Sequence, residues 1–204
     1  MLLKSLVLVA TAATAVLAAS PVGGGTWHKV SPGYSIQECA GGNVNGNNYI
    51  LPTKPNGSTS GPGCSNGHLR AERRYSNDYS SGVHQFAGKF KINSLGGDRV
   101  SLKQTFNGAA GPYFMMAVDK SGRLYSVRSG ATIATGVAKV GATVQLHTVH
   151  DVGARKMTVY VNGKSVYTTD SPGGSFYDKY GAYTTDSGSG PADVTWSDVA
   201  FWTR

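Results

Sequence analysis

Apolar and polar positions alternate in short runs along most of this chain, and almost nowhere after the first residues do they repeat with a helical period. Met157, Val159 and Val161 take alternate positions in one such run, the pattern of a strand with one buried face. Strand-like runs recur at 26–30, 69–75, 83–92, 99–106, 113–118, 124–127, 143–150, 156–161, 165–168, 175–184 and 193–202. Between them stand turn dipeptides such as Gly96-Gly97, Asn107-Gly108, Ser121-Gly122, Asn162-Gly163 and Gly173-Gly174. Asn162-Gly163 predicts a hairpin, because a type I′ turn needs positive φ at both central residues. Many short strands at this spacing predict an all-β fold, a β-sandwich or jelly roll. The Gly/Asn/Ser-rich stretch 41–67 reads as one long loop, and no repeat or linker divides the chain.

Residues 1–19 have the form of a secretory signal peptide, with Lys4 before a mostly apolar run and small Ala18 and Ala19 at a cleavage site. That leaves 20–204 as a single domain, expected to be secreted, extracellular and without a membrane span. Cys39 and Cys64 are expected to pair in an oxidising compartment. Asn56-Gly57-Ser58, inside the loop they close, is a glycosylation sequon and marks it as surface. The formal net charge of +8 in a chain with 15% charged residues favours an acidic partner. Without a basic helix, a Lys/Arg run or a recognition signature, nucleic acid is not the expected one.

Two stretches carry the chemistry. As a strand, 175–183 turns Tyr177, Lys179, Gly181 and Tyr183 to one face, and 68–74 does the same with His68, Arg70, Glu72 and Arg74. A cationic and aromatic face of this kind suits an anionic polymer. Glycoside hydrolysis needs two facing carboxyl groups. The chain has two glutamates, Glu38 and Glu72, the second flanked by arginines that disfavour a general acid, and the aspartates Asp98, Asp119, Asp170 and Asp186 sit at turns. No nucleophile elbow leads into a helix. His147 and His150 fall on opposite faces of a strand, so no metal site is expected. β-Elimination on a uronic acid fits better. Its C5 proton becomes acidic once the neighbouring carboxylate is neutralised, and a tyrosine beside cations can take that proton and protonate the departing C4 oxygen.

Arg70-Ala71-Glu72-Arg73-Arg74 resembles the Arg-x-Glu-x-Arg strand of the family 7 alginate lyases. Tyr177-Asp178-Lys179-Tyr180-Gly181-Ala182-Tyr183 resembles their Tyr-x-Lys-x-Gly-x-Tyr strand. The motifs come in the family's order, the 159–164 hairpin is common in that jelly roll, and the resemblance runs from His68 to Arg204. The glucuronan lyases are a related group that it also resembles. The resemblance implies a concanavalin-like jelly roll with a substrate groove on its concave sheet, and a monomeric lyase acting on an acidic polysaccharide. It implies Arg70 and Gln104 as the groups that hold the carboxylate, Tyr183 as base and then acid, and Arg74, Lys179, Tyr177 and His68 lining subsites. Glu72 is expected to fix the arginines. No cofactor is implied, and a structural calcium stays open.

One departure matters. Where the family has Gln-Ile-His, this chain has Gln104-Thr105-Phe106. In mannuronate and glucuronate the C5 proton and C4 oxygen lie on the same side of the ring, so one tyrosine can serve both; in guluronate they lie on opposite sides. The missing histidine therefore favours alginate rich in mannuronate, or glucuronan, unless His68 or His84 fills the gap. It also keeps open a non-catalytic binding module. Val100, Leu102, Gln104 and Phe106 share parity, and Gln104 is assigned to the groove.

Overall fold

Each alternating run becomes a strand because an antiparallel pairing buries one of its faces and leaves the other free. The computed structural model describes residues 19–64, 66–185 and 188–204; residues 1–18, where a signal peptide is expected, and Asp186 lie outside the described residues. The strands are β1 (His28–Val30), β2 (Tyr34–Cys39), β3 (Asn43–Asn45), β4 (Asn48–Leu51), β5 (Arg70–Tyr75), β6 (Val83–Leu95), β7 (Arg99–Asn107), β8 (Pro112–Asp119), β9 (Leu124–Ser126), β10 (Thr132–Ala134), β11 (Thr143–Asp151), β12 (Lys156–Val161), β13 (Lys164–Asp170), β14 (Phe176–Tyr183) and β15 (Ala192–Thr203). One sheet runs β13-β12-β11-β6-β15-β4-β3, with β1 paired to β15; the other runs β10-β9-β8-β7-β14-β5-β2. This is a jelly-roll sandwich. Its crossovers put β14 between β7 and β5, so stretches far apart in sequence become neighbours.

The core lies between the sheets, with Phe86, Phe90 and Trp196 meeting Leu102, Phe114 and Tyr180. The Trp196 Nε1–H donates across the sandwich to the Gly181 carbonyl at 3.2 Å. Asn162 and Gly163 take φ of 50° and 78°, as the hairpin reading requires. The 41–67 stretch is not one loop: β3 and β4 form a hairpin that extends the first sheet along β15. Asn56 is exposed in the remainder.

Alternation breaks on β7. Its register with β8 shifts between Ser101 and Lys103, and a bulge can place successive residues on one side. Val100, Leu102 and Lys103 are buried toward the interior, whereas Gln104, also buried, and Phe106 line a cleft on the other face. Putting Gln104 in the groove thus puts a lysine in the interior. The Lys103 ammonium donates to the Asp178 carboxylate, to the Gln104 carbonyl at 2.9 Å and to Thr105 Oγ1 at 3.0 Å. Every N–H of that ammonium has an acceptor, which is the condition for burying it.

Cys39 and Cys64 form a disulfide with a Cα–Cα distance of 5.3 Å, closing a separation of 25 residues. Cross-linking a loop of this size restricts the unfolded chain by roughly 3 kcal/mol. Replacing both cysteines by serine is expected to lower the melting temperature by about 6–12 °C, measured by thermal unfolding under non-reducing conditions. An unchanged midpoint would show that the bond contributes nothing to stability.

Candidate active site

Register builds the site. On β5 and β14, Tyr183 lies opposite Arg70, Gly181 opposite Glu72 and Lys179 opposite Arg74. On β7, Lys179 lies opposite Gln104 and Tyr177 opposite Phe106. Strand side chains alternate, so these groups share the outward face while Ala71, Tyr180 and Ala182 enter the core. Gly181 lets β5 come close: at φ +148°, a Cβ there would sit 2.2 Å from the Ala71 carbonyl oxygen. Any side chain would push the two motif strands apart.

Arg70, Gln104, Phe106, Tyr177, Lys179 and Tyr183 line a cleft of about 370 Å³, and Gln37, Gly63 and Asn66 form one wall. Beneath it Glu72 is wholly buried and accepts hydrogen bonds from both Arg70 and Gln104. An amide has two N–H donors and a guanidinium five, so each keeps donors beyond those spent on Glu72. The Arg70 guanidinium stacks on the Tyr183 ring at 4.0 Å. Lys179 lies 4.3 Å over the Phe106 ring, and Phe106 stacks on Tyr177 at 4.9 Å. Among the described residues the Lys179 ammonium has no carboxylate within salt-bridge distance. Burial lowers its pKa to about 8; Glu72 opposes the shift, while Arg70 and Arg74 add to it.

Glu72 does not tie down both arginines as expected. It holds Arg70 and Gln104, whereas Arg74 pairs with Asp78 at 3.0 Å and stacks on Tyr177 at 4.1 Å. Arg74 therefore stands behind Tyr177 rather than on the cleft lining. His68 precedes β5, yet its Nδ1 lies 2.8 Å from the Tyr183 hydroxyl, which also accepts a bond from Asn66 Nδ2 at 2.9 Å. His84 is not brought there. It stacks on Tyr79 at 3.8 Å in a separate cavity, where burial lowers its pKa. Gln37 and Asn66, which the sequence analysis missed, come from the segment without a matching motif. Their one advance signal was their closeness to the cysteines. Among the described residues no three His, Cys, Asp or Glu side chains converge as a metal site.

No protein-family model matches the sequence, and no curated protein is similar to it. Solved structures are similar in fold. An alginate lyase from Polysaccharide Lyase family 7 superposes with a TM-score of 0.60 at 19% identity, over 80% of this chain and 82% of that one. The fold is that of the family 7 alginate lyases. An alginate lyase from Pseudomonas aeruginosa gives 0.62 at 14% identity, over 77% and 82% of the two chains. A family 7 alginate lyase solved in complex with a product gives 0.59 at 15% identity, over 77% and 79%.

Proposed function

We propose that this protein is a secreted polysaccharide lyase that cleaves a polyuronate by β-elimination, with mannuronate-rich alginate as its preferred substrate. The observation that carries this reading is the convergence of Tyr183, Arg70, Gln104 and Lys179 on one cleft floor. The uronate carboxylate sits against Lys179 and the remaining donors of Arg70 and Gln104, which draw charge from C5. Tyr183 takes the C5 proton and returns it to the C4 oxygen. Phe106 offers no proton-transfer group across the ring, which supports a same-side substrate. Glucuronan shares that stereochemistry and is the second reading. The disulfide is consistent with an oxidising, extracellular location, and the acidic polymer itself is the expected partner.

Incubation with polymannuronate, polyguluronate and glucuronan, following the ultraviolet band of the new C4=C5 double bond, tests this. Turnover is expected on polymannuronate above the others. Binding to all three polymers without any absorbance change would make the protein a carbohydrate-binding module.

Lys179 sets the pH range. Its charged form is needed to meet the carboxylate, and it loses its proton near pH 8 in the free protein. KM is therefore expected to rise as pH passes upward through 8, while kcat changes less, because the bound anion holds the proton on. Lys179→Met is expected to raise KM by about tenfold, as for loss of a charge-assisted hydrogen bond, and to flatten the rise. A KM that still climbs through pH 8 in Lys179→Met would assign the titration to another group.

A further inference from the structure

We propose that His68 is the proton relay of Tyr183, supplying from the disulfide-tied wall the imidazole that β7 lacks. The inference rests on the lyase reading above and concerns how its base is activated. A phenol at neutral pH is a poor base, because its own proton must leave before or as it accepts another.

The hydrogen bonds around the Tyr183 hydroxyl give that proton a direction. Asn66 Nδ2 donates to the oxygen at 2.9 Å. The orientation of that amide is set by its other end, where Oδ1 accepts the His68 backbone N–H at 3.3 Å. His68 Nδ1, 2.8 Å from the same oxygen, is placed to accept the hydroxyl proton in the tautomer that carries its own proton on Nε2. The same Tyr183 side chain lines the cleft. The Arg70 guanidinium on the ring face favours the phenolate as it forms.

The other histidines are placed elsewhere. His147 bonds to Gln85, His150 to Tyr79 and Ser171, His84 stacks on Tyr79, and His28 is exposed on β1. At Phe106 the ring packs between Tyr177 and Lys179 and has no proton to exchange.

The elimination then balances on one face of the sugar. Tyr183 Oη takes the C5 proton as its own proton passes to His68 Nδ1. The C5–H electron pair becomes the C4=C5 bond, and the C4–O bond breaks toward the glycosidic oxygen. Tyr183 protonates that oxygen, and the His68 imidazolium returns its proton to the phenolate. His68 acts through Tyr183 and touches no substrate atom, so it is a positioning and relay residue. Among the described residues, the titratable or charged groups facing it are Tyr183, Arg70 beyond that ring, and Lys54 across the small hollow that His68 lines.

The test uses the whole mature protein on polymannuronate. His68→Ala is expected to lower kcat by at least ~100-fold with KM within threefold, as for loss of a proton-transfer group. It is expected to regain at least tenfold of its rate with added imidazole. His68→Asn, which keeps a polar partner for the hydroxyl but cannot carry a proton, is expected to stay as slow as His68→Ala. A His68→Asn variant within threefold of the native rate, or a slow His68→Ala that imidazole does not restore, would overturn the relay while leaving the lyase standing. A native protein inactive on every polyuronate would overturn both.

Discussion

Tyr183→Phe is expected to lower kcat by at least about 10³-fold while the binding constant for a polyuronate stays within a few-fold of native. Proton transfer by a positioned side chain contributes typically 10²–10⁴-fold, and here one hydroxyl serves both transfers. The substitution removes a single oxygen. The phenyl ring keeps its place under the Arg70 guanidinium and beside His68, and Lys179, Gln104 and Arg70 still meet the carboxylate. His68 and Asn66, half-buried and exposed respectively, can turn their freed groups to water, so the cost to stability is about 1 kcal/mol or less. Turnover by the double-bond absorbance and affinity by calorimetry, measured on the same preparation, separate the effects. A variant that retains a tenth of the native kcat would remove Tyr183 from both steps. Equal loss of binding and turnover would mean that the hydroxyl holds the sugar rather than moving a proton.

Much of the fold was legible because alternation and turn chemistry are local. β12 needed no knowledge of its partners to be placed, and Asn162-Gly163 declared its turn. The missed strands are those whose reason for existing is elsewhere. β3 and β4 carry asparagines, are short, and are strands because they close along β15. The two motif strands could be seen to present one face each, but their register could not: that Tyr183 meets Arg70 and Gly181 meets Glu72 follows from β14 lying beside β5 in the sheet, with eight strands between them in the chain. The shift on β7 is invisible in a parity count, so Leu102 and Gln104, equal in parity, part company between core and cleft. Asn66 and His68 lie on a loop whose path depends on the Cys39–Cys64 bond, and a reading strand by strand has no means to aim them. What links these misses is distance in sequence. Lys103 looked wrong for an interior until Asp178, on a strand 75 positions later, was placed beside it.

That pair carries the largest expected effect on stability. Asp178→Asn is expected to cost about 3–5 kcal/mol, the range for leaving one member of a buried ion pair uncompensated. Lys103 is wholly inaccessible and Asp178 is 4% exposed, so no water takes over the lost charge. Burial alone would push the Asp178 carboxyl up, but Lys103, with Thr105 and Asn77, outweighs it and holds the carboxyl below its usual range. Its contribution is therefore full above the unfolded carboxylate pKa of about 4 and is lost as pH falls through the lower folded value. The gap between native and variant proteins should close in acid. Lys103→Met alone is expected to cost a similar amount. The double variant Lys103→Met/Asp178→Asn should recover about 2–3 kcal/mol relative to the sum of the two, since neither leaves a charge behind. Denaturant unfolding of the four proteins gives the coupling directly, and additive losses would show that Lys103 is held by its neutral acceptors rather than by Asp178. The same experiment bears on the cleft. Asp178 stands between Tyr177 and Lys179 on β14, pointing inward where they point outward, so this pair pins the strand that presents both, and the surviving folded fraction of Asp178→Asn should show a raised KM before it shows a lowered kcat.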